Sequence, residues 1–408
     1  MPANWGAPTQ IDETAPMEPP AQKRRRAASR LVVYRHADCD LHETTTREGE
    51  HQESRARVAA IAEALGHHGT SADFEPAGRE ALLRVHTDDY LDALEGIGQR
   101  RGRLSPILKK RHPLEDVDEE AGATIVGPGS WEAATRAAGA ALAAARSASA
   151  GPLAAAPSAG SLAAASSASV GSRAFVLVRP PGHHAMPGGI DLAAGGCGFC
   201  LLNNAAVAAA DALARSPDAR VAIVDFDVHY GNGTVTWAFN ESSERLLYAS
   251  THIREVYENS DLDFFPGGGS AWASTGTPTA ELPPGEEPMS KRTRTTICDV
   301  PVEPNWVARG ARARFVAAVE TIAERLATFR PSLLILSAGF DACAGDAGQL
   351  NPWTRDDPER PPDVAPFDEV PDGVGLVAED YRVMTRALLD AVPEATPVVS
   401  ILEGGYGA

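Results

Sequence analysis

The chain has 408 residues, 43% of them hydrophobic and 23% charged, enough apolar material for one large α/β domain or for two to three domains of about 150 residues each. A formal net charge of −18 excludes a general nucleic-acid binder, whose footprint would be basic, and suits a positively charged substrate surface such as a lysine-rich tail. No run of about 18 apolar residues is present, so no membrane partner is expected, and Cys39, Cys197, Cys200, Cys298 and Cys343 lack the spacing of a disulfide framework.

Residues 1–30 are Pro-rich and polar and read as a disordered tail, with "KRRR" at 23–26 as a candidate nuclear-localisation patch. Leu31 to Tyr34 open the first strand, and the folded domain is read as 31–408. Helical spacing follows in "SRARVAAIAEALGHHG" and "DDYLDALEGIG". The Ala-rich run from Trp131 to about Ala148 predicts a helix with Ser130 as its N-cap. The Ala/Ser/Gly/Pro stretch at about 149–173 reads as a low-complexity insertion. Three continuously apolar runs come next, at 174–180, 220–228 and 331–341, with a fourth at 396–406. Apolar on both faces and separated by helical segments, they predict an open, mainly parallel sheet flanked by helices on both faces. Two further segments, 270–295 and 351–372, are too polar and Pro-rich for core and read as loop insertions.

Polar residues follow these strands by a rule of position. "FVLVRPPGHH" ends in His183 and His184, "VAIVDFDVHYGNGT" in Asp225, Asp227 and His229, "LLILSAGFDA" in Asp341, and "VVSILEGGY" in Glu403 and Tyr406. Ligands of open parallel sheets bind beyond the carboxyl ends of the strands, so the four tips are expected to meet at one site. Carboxylates at the edge of an apolar sheet are costly unless paired or metal-bound. Asp227 and His229, at i and i+2, would point the same way on an extended strand, and with Asp341 could form an Asp, His, Asp metal site with an open position. The plainer alternative is that Asp225 and Asp227 cap a helix or bind backbone in the turn.

"RPPGHHA", "GFCLLNNAAVAA", "DFDVHYGNGT", "FFPGGG", "SAGFDA" and "LEGGY", in this order, resemble the signature series of the zinc-dependent histone deacetylase family, class II-like, with its arginase-deacetylase fold. "HQESRARV" and "VHTDDYLDAL" are weaker upstream matches. The resemblance implies a single catalytic domain that hydrolyses acetyl-lysine, with Zn2+ on Asp227, His229 and Asp341. It implies His184 as general base and acid, His183 paired with Asp225, and Asn232 as the neutral partner of His184. Tyr406 would donate to the oxyanion. Phe199 and Phe265 would wall the acyl-lysine channel beside Gly198. A structural K+ would lie near Asp225, Asp227, His229, Ser250 and Thr251. The implied partners are acetylated lysines of histones or other proteins and corepressor-type complexes, in nucleus or cytoplasm. Cys200 belongs to the family's Gly-Phe-Cys element, which leaves the "CGFC" spacing an accident rather than a redox motif.

The sequence departs from the family pattern in three places, one of them the set of inserts at 149–173, 270–295 and 351–372, which would reshape the pocket rim. The loop between "GHHA" and "GFC" is about twice the usual length, and the chain ends just after Tyr406, which reads as a truncated end with the tyrosine on a frayed terminus. Three rival readings stay open: an acetylpolyamine or other small-amide hydrolase, against which the absence of a Glu in "CAGDAGQL" argues; a catalytically impaired deacetylase-like scaffold; and an arginase-like manganese hydrolase, which needs more carboxylates than are visible.

Overall fold

Val221 to Asp225, Leu246 to Ser250 and Leu333 to Ala338 are buried at every position, as strands covered on both faces must be. The computed structural model describes residues 31–45, 51–66, 68–97, 101–104, 124–149, 172–191, 196–254, 264–266, 293–358 and 360–407. The tail at 1–30 and nearly all of the segments at 149–173 and 270–295 lie outside the described residues.

In chain order the elements are β1 (Leu31–Tyr34), α1 (Arg55–Ala64), β2 (Gly69–Ser71), α2 (Arg79–Leu82), α3 (Asp88–Glu95), β3 (Gly102–Arg103), β4 (Ile125–Val126) and α4 (Ser130–Ser149). They continue with β5 (Arg173–Val176), α5 (Asn204–Arg215), β6 (Val221–Asp225), α6 (Asn232–Glu241), β7 (Leu246–Ser250), β8 (Thr296–Asp299), α7 (Ala311–Phe329), β9 (Leu333–Ala338), α8 (Ala378–Asp390) and β10 (Val398–Leu402). One eight-stranded sheet runs β2-β1-β5-β10-β9-β6-β7-β8, and every pair in it is parallel. β3 and β4 form a small antiparallel ribbon apart from it.

Alternate residues of each central strand feed different cores. Val221, Ile223, Ile335 and Ile401 pack with the helices α3, α4 and α5, whereas Ala222, Val224, Leu334 and Leu336 pack with α7 and α8. This alternation is why the strand sequences show no polar face. The alanines of α4 and α5 leave little side-chain bulk between these two neighbours, which share the first core.

The structure corrects two expectations. Ser130 is the first residue of α4 rather than its N-cap, because its hydroxyl accepts the Gly127 N–H (2.9 Å) and contacts His42 Nδ1 (2.9 Å). The segment 351–372 also contributes to the core: Trp353, Val364 and Val370 are buried in the α7/α8 layer. Its prolines and charges mislead because only the apolar minority turns inward. Asn351 satisfies buried backbone there, its Nδ2 donating to the carbonyls of Ala365 (2.8 Å) and Val370 (3.0 Å).

Candidate active site

The four polar strand tips meet because their strands are consecutive in the sheet: β5, β10, β9 and β6. His183 and His184 follow β5, Glu403 and Tyr406 follow β10, Asp341 follows β9, and Asp227 and His229 follow β6. His184, Gly198, Phe199, His229, Phe265, Gly348 and Tyr406 line a pocket of about 330 Å³ above these tips.

Asp227, His229 and Asp341 each offer one ligand atom, and these atoms lie within 4.8 Å of one another. His229 Nδ1 is 3.1 Å from Asp227 Oδ1 and 3.0 Å from Asp341 Oδ2. The other carboxylate oxygens are held by backbone: Val228 N–H donates to Asp341 Oδ1 (3.0 Å) and Gly404 N–H to Asp227 Oδ2 (2.8 Å). Gly404 has to be glycine, since a Cβ there would lie 2.2 Å from Asp341 Oδ2 and 2.6 Å from Asp227 Oδ2. Two buried carboxylates converging on one imidazole in a backbone cradle fit a divalent cation with N and O ligands. In the protein alone, burial resists a charge on His229, but the two carboxylates outweigh it and raise the ring to about 9.

The tandem histidines lie 3.9 Å apart between ring centroids yet are driven in opposite directions. Burial disfavours a charge on His183, but the Asp227 and Asp225 carboxylates prevail and push it up to about 10, with Nδ1 3.0 Å from Asp225 Oδ2. Its backbone N–H and that of Gly182 donate to Glu403 Oε2 (3.2 and 2.7 Å). His184 is pushed well below the ordinary histidine value, first by burial and then by the positive charges of His183 and His229. Its Nδ1 lies 2.8 Å from Asn232 Oδ1.

The pocket walls are aromatic. The rings of His184 and Phe265 meet edge-on at 5.0 Å, and those of Phe199 and Tyr406 at 5.4 Å. Gly198 (φ +47°) closes against them; a Cβ there would stand 2.3 Å from His184 Cδ2. Phe199 itself adopts φ 68°, an unfavourable conformation for a side-chain-bearing residue, and the Thr124 hydroxyl fixes it by accepting its N–H at 2.8 Å.

Tyr406 is not frayed, which corrects the expectation drawn from its position. Its N–H donates to Asp346 Oδ2 (2.7 Å), and the Arg57 guanidinium lies 4.5 Å from its ring centroid. Arg57 also donates to the carbonyls of Glu403 (2.6 Å) and Gly405, so α1 clamps the chain on either side of Gly404. Arg57 is oriented in turn by Glu53, a fully buried carboxylate that takes a bidentate pair from Arg179 (2.7 and 2.9 Å). Sequence reasoning missed Arg57, Arg179 and Asp346 as site-supporting residues. The i, i+4 pair Glu53 and Arg57 could have flagged Arg57, whereas Arg179 and Asp346 reach the site only through the tertiary fold.

Asp225, Ser250 and Thr251 are buried beneath the tip of β6, where Thr251 N–H donates to the Asp225 carbonyl (3.0 Å). Ser250 Oγ contacts His252 Nδ1 (2.9 Å), while Thr251 Oγ1 has no hydrogen-bond partner among the described residues. Cys197 and Cys200 are both buried free thiols. The Cys200 sulfur accepts the His184 N–H (3.4 Å), and the Cys197 thiol donates to Thr124 Oγ1 (3.4 Å).

The profile of the histone deacetylase domain matches residues 51–408. The chain is 35% identical to "Histone deacetylase 8" of Arabidopsis thaliana over 44% of this chain and 37% of that protein. It is 28% identical to "Histone deacetylase-like amidohydrolase" of Pseudomonas aeruginosa over 81% of this chain and 64% of that one. The crystal structure of the HDA15 HD domain superposes with a TM-score of 0.63 at 26% identity, covering 92% of this chain and 86% of that one. The chain spans less than two thirds of the curated relatives it matches, from 11% of "Type-2 histone deacetylase 2" of Dictyostelium discoideum to 64% of the amidohydrolase.

Proposed function

Because the chain belongs to the histone deacetylase family and carries its arginase-deacetylase fold, we propose that it hydrolyses the acetyl-lysine amide of protein substrates, releasing acetate. The observation that carries this reading is the convergence of Asp227, His229 and Asp341 with His184 and Tyr406 on one aromatic-walled pocket. Phe199 and Phe265 line that pocket and suit the methylenes of an extended lysine side chain, and the net charge of −18 suits a basic peptide around it.

Asp227, His229 and Asp341 would hold Zn2+, which when bound polarises the amide carbonyl and lowers the pKa of water. His184 is the proton carrier. Its depressed pKa keeps the ring neutral near pH 7, and Asn232 Oδ1 occupies Nδ1, so Nε2 is the basic atom. Nε2 takes a proton from the attacking water as the carbon–oxygen bond forms, and returns it to the lysine nitrogen as the carbon–nitrogen bond breaks. His183, held charged by Asp227 and Asp225, stabilises negative charge nearby without exchanging its own proton. The Tyr406 hydroxyl donates to the oxyanion, a contribution worth about 3 kcal/mol in comparable sites. Thr251 Oγ1, which has no partner among the described residues, and the Asp225 backbone beneath the site support a bound K+.

The test measures zinc-dependent release of acetate from an acetyl-lysine peptide and from an acetylpolyamine, with His184→Ala as control. Turnover of the peptide, abolished in the control, is the expected result. Turnover of the polyamine alone would keep the chemistry and change the substrate. Turnover of neither by a zinc-loaded, folded chain would overturn the reading.

A further inference from the structure

Asp191 lies in the long loop between His184 and Phe199, a loop tied down at several points. The Gly189 N–H donates to the Met186 carbonyl (2.8 Å) and the Thr87 N–H to the Pro187 carbonyl (2.9 Å). His86 Nδ1 contacts the Met186 carbonyl at 3.1 Å. Asp191 and Gly196 exchange both backbone hydrogen bonds (3.0 and 3.2 Å). The Asp191 main chain is therefore fixed, and its carboxylate reaches back to the tandem histidines: Asn232 Nδ2 donates to Asp191 Oδ2 at 2.7 Å.

The two ends of an asparagine amide have nearly the same shape, so its orientation is decided by what it faces. A carboxylate only accepts, which places Nδ2 toward Asp191 and turns Oδ1 toward His184 Nδ1, 2.8 Å away. Oδ1 in turn only accepts, so Nδ1 must carry the hydrogen and Nε2 the lone pair. We propose that Asp191 is a positioning residue that sets the tautomer of His184 through Asn232. With the carboxylate gone, the amide is free to turn over and offer Nδ2 to the ring, which selects the opposite tautomer and leaves Nε2 unable to accept a proton. The same geometry accounts for an uncharged residue at 232: a carboxylate there would face Asp191 across the present hydrogen bond, and like charges so close cannot both ionise.

The kinetic part of this inference rests on the deacetylase reading; the tautomer does not. Nitrogen-15 spectra of the histidine-labelled full chain are expected to show His184 protonated at Nδ1 in the wild type, and a mixture of the two tautomers in Asp191→Asn, whose amide can present either its acceptor or its donor to Asn232. Asp191→Leu is expected to shift the ring toward Nε2–H. In turnover of an acetyl-lysine peptide, Asp191→Leu should lower kcat by about 10- to 100-fold, the usual range for a partner one step removed from the reacting groups, with little change in KM. Asn232→Asp should also be slow, and adding Asp191→Asn to it should restore most of the loss, because the exchange rebuilds the hydrogen bonds with one carboxylate. An unchanged His184 tautomer in Asp191→Leu, or an exchange variant no faster than Asn232→Asp, would overturn the proposal. A wild type that turns over nothing while its Asp191→Leu variant changes tautomer would sink the deacetylase reading and leave the positioning role standing.

Discussion

Arg57, on the first helix, stacks its guanidinium 4.5 Å from the ring of Tyr406, close to the end of the chain, while donating to the backbone on either side of Gly404. One side chain thus fixes both the ring and the main chain that carries it. Removing it leaves the Glu403 and Gly405 carbonyls short of a donor and the tyrosine free to tilt. Arg57→Ala is expected to lower kcat for an acetyl-lysine peptide by about 100-fold, the scale of a misplacement of roughly 1 Å. Arg57→Lys should recover little of it, since an ammonium cannot replace the planar fork. Steady-state kinetics on the two variants, with circular dichroism to confirm folding, checks this.

Tyr406→Phe keeps the ring against Phe199 and Arg57 and removes only the hydroxyl. The expected outcome is a fall in kcat of about 100- to 1,000-fold with zinc content unchanged. Kinetics paired with metal analysis of the same preparation separates loss of the donor from loss of the metal.

The convergence of Asp227, His229 and Asp341 predicts that metal stabilises the fold as well as serving the reaction. At a free metal concentration about 1,000 times the dissociation constant, binding adds about 4 kcal/mol to the native state. Chelation should therefore abolish hydrolysis and lower the melting temperature together. Asp341→Asn should lose both the metal and the dependence of the melting temperature on added zinc.

Glu53 supplies the pH prediction. Burial opposes its charge, but Arg179, by charge and hydrogen bond, then His42 and Arg57 outweigh that and hold its carboxyl at about 2, below its ordinary 4.5. A depressed folded pKa contributes stability that is full above the unfolded value and is lost as pH falls toward the folded one. Urea melts should therefore show stability declining between about pH 4.5 and about pH 2, and Glu53→Gln should flatten that decline. At neutral pH the same substitution should cost about 3–5 kcal/mol, because it strands the buried Arg179.

The sequence by itself determined β1, β5, β6, β9 and β10 and the polar residues at their tips, though not β7, where Leu246 to Ser250 is buried throughout but Tyr248 and Ser250 leave too short an apolar run to stand out. Runs such as Val221 to Val224 and Leu333 to Leu336 are apolar on both faces, which only a covered parallel sheet satisfies, and the polar residues closing each run had to lie at its carboxyl end. The short edge strands β2 and β8 were not legible, because with few buried positions they show no such run. Nor was the buried minority of 351–372, where Trp353 is outnumbered by prolines and charges. Only the tertiary structure decided that β5, β10, β9 and β6 stand side by side, and so that Asp227, His229 and Asp341 share one centre with His184 and Tyr406. It alone decided what supports them, from Arg57 against Tyr406 to Asp191 against Asn232. Periodicity records which face of its own element a residue occupies; which distant side chain it meets there depends on strand order and loop anchoring, and neither is written in the local pattern.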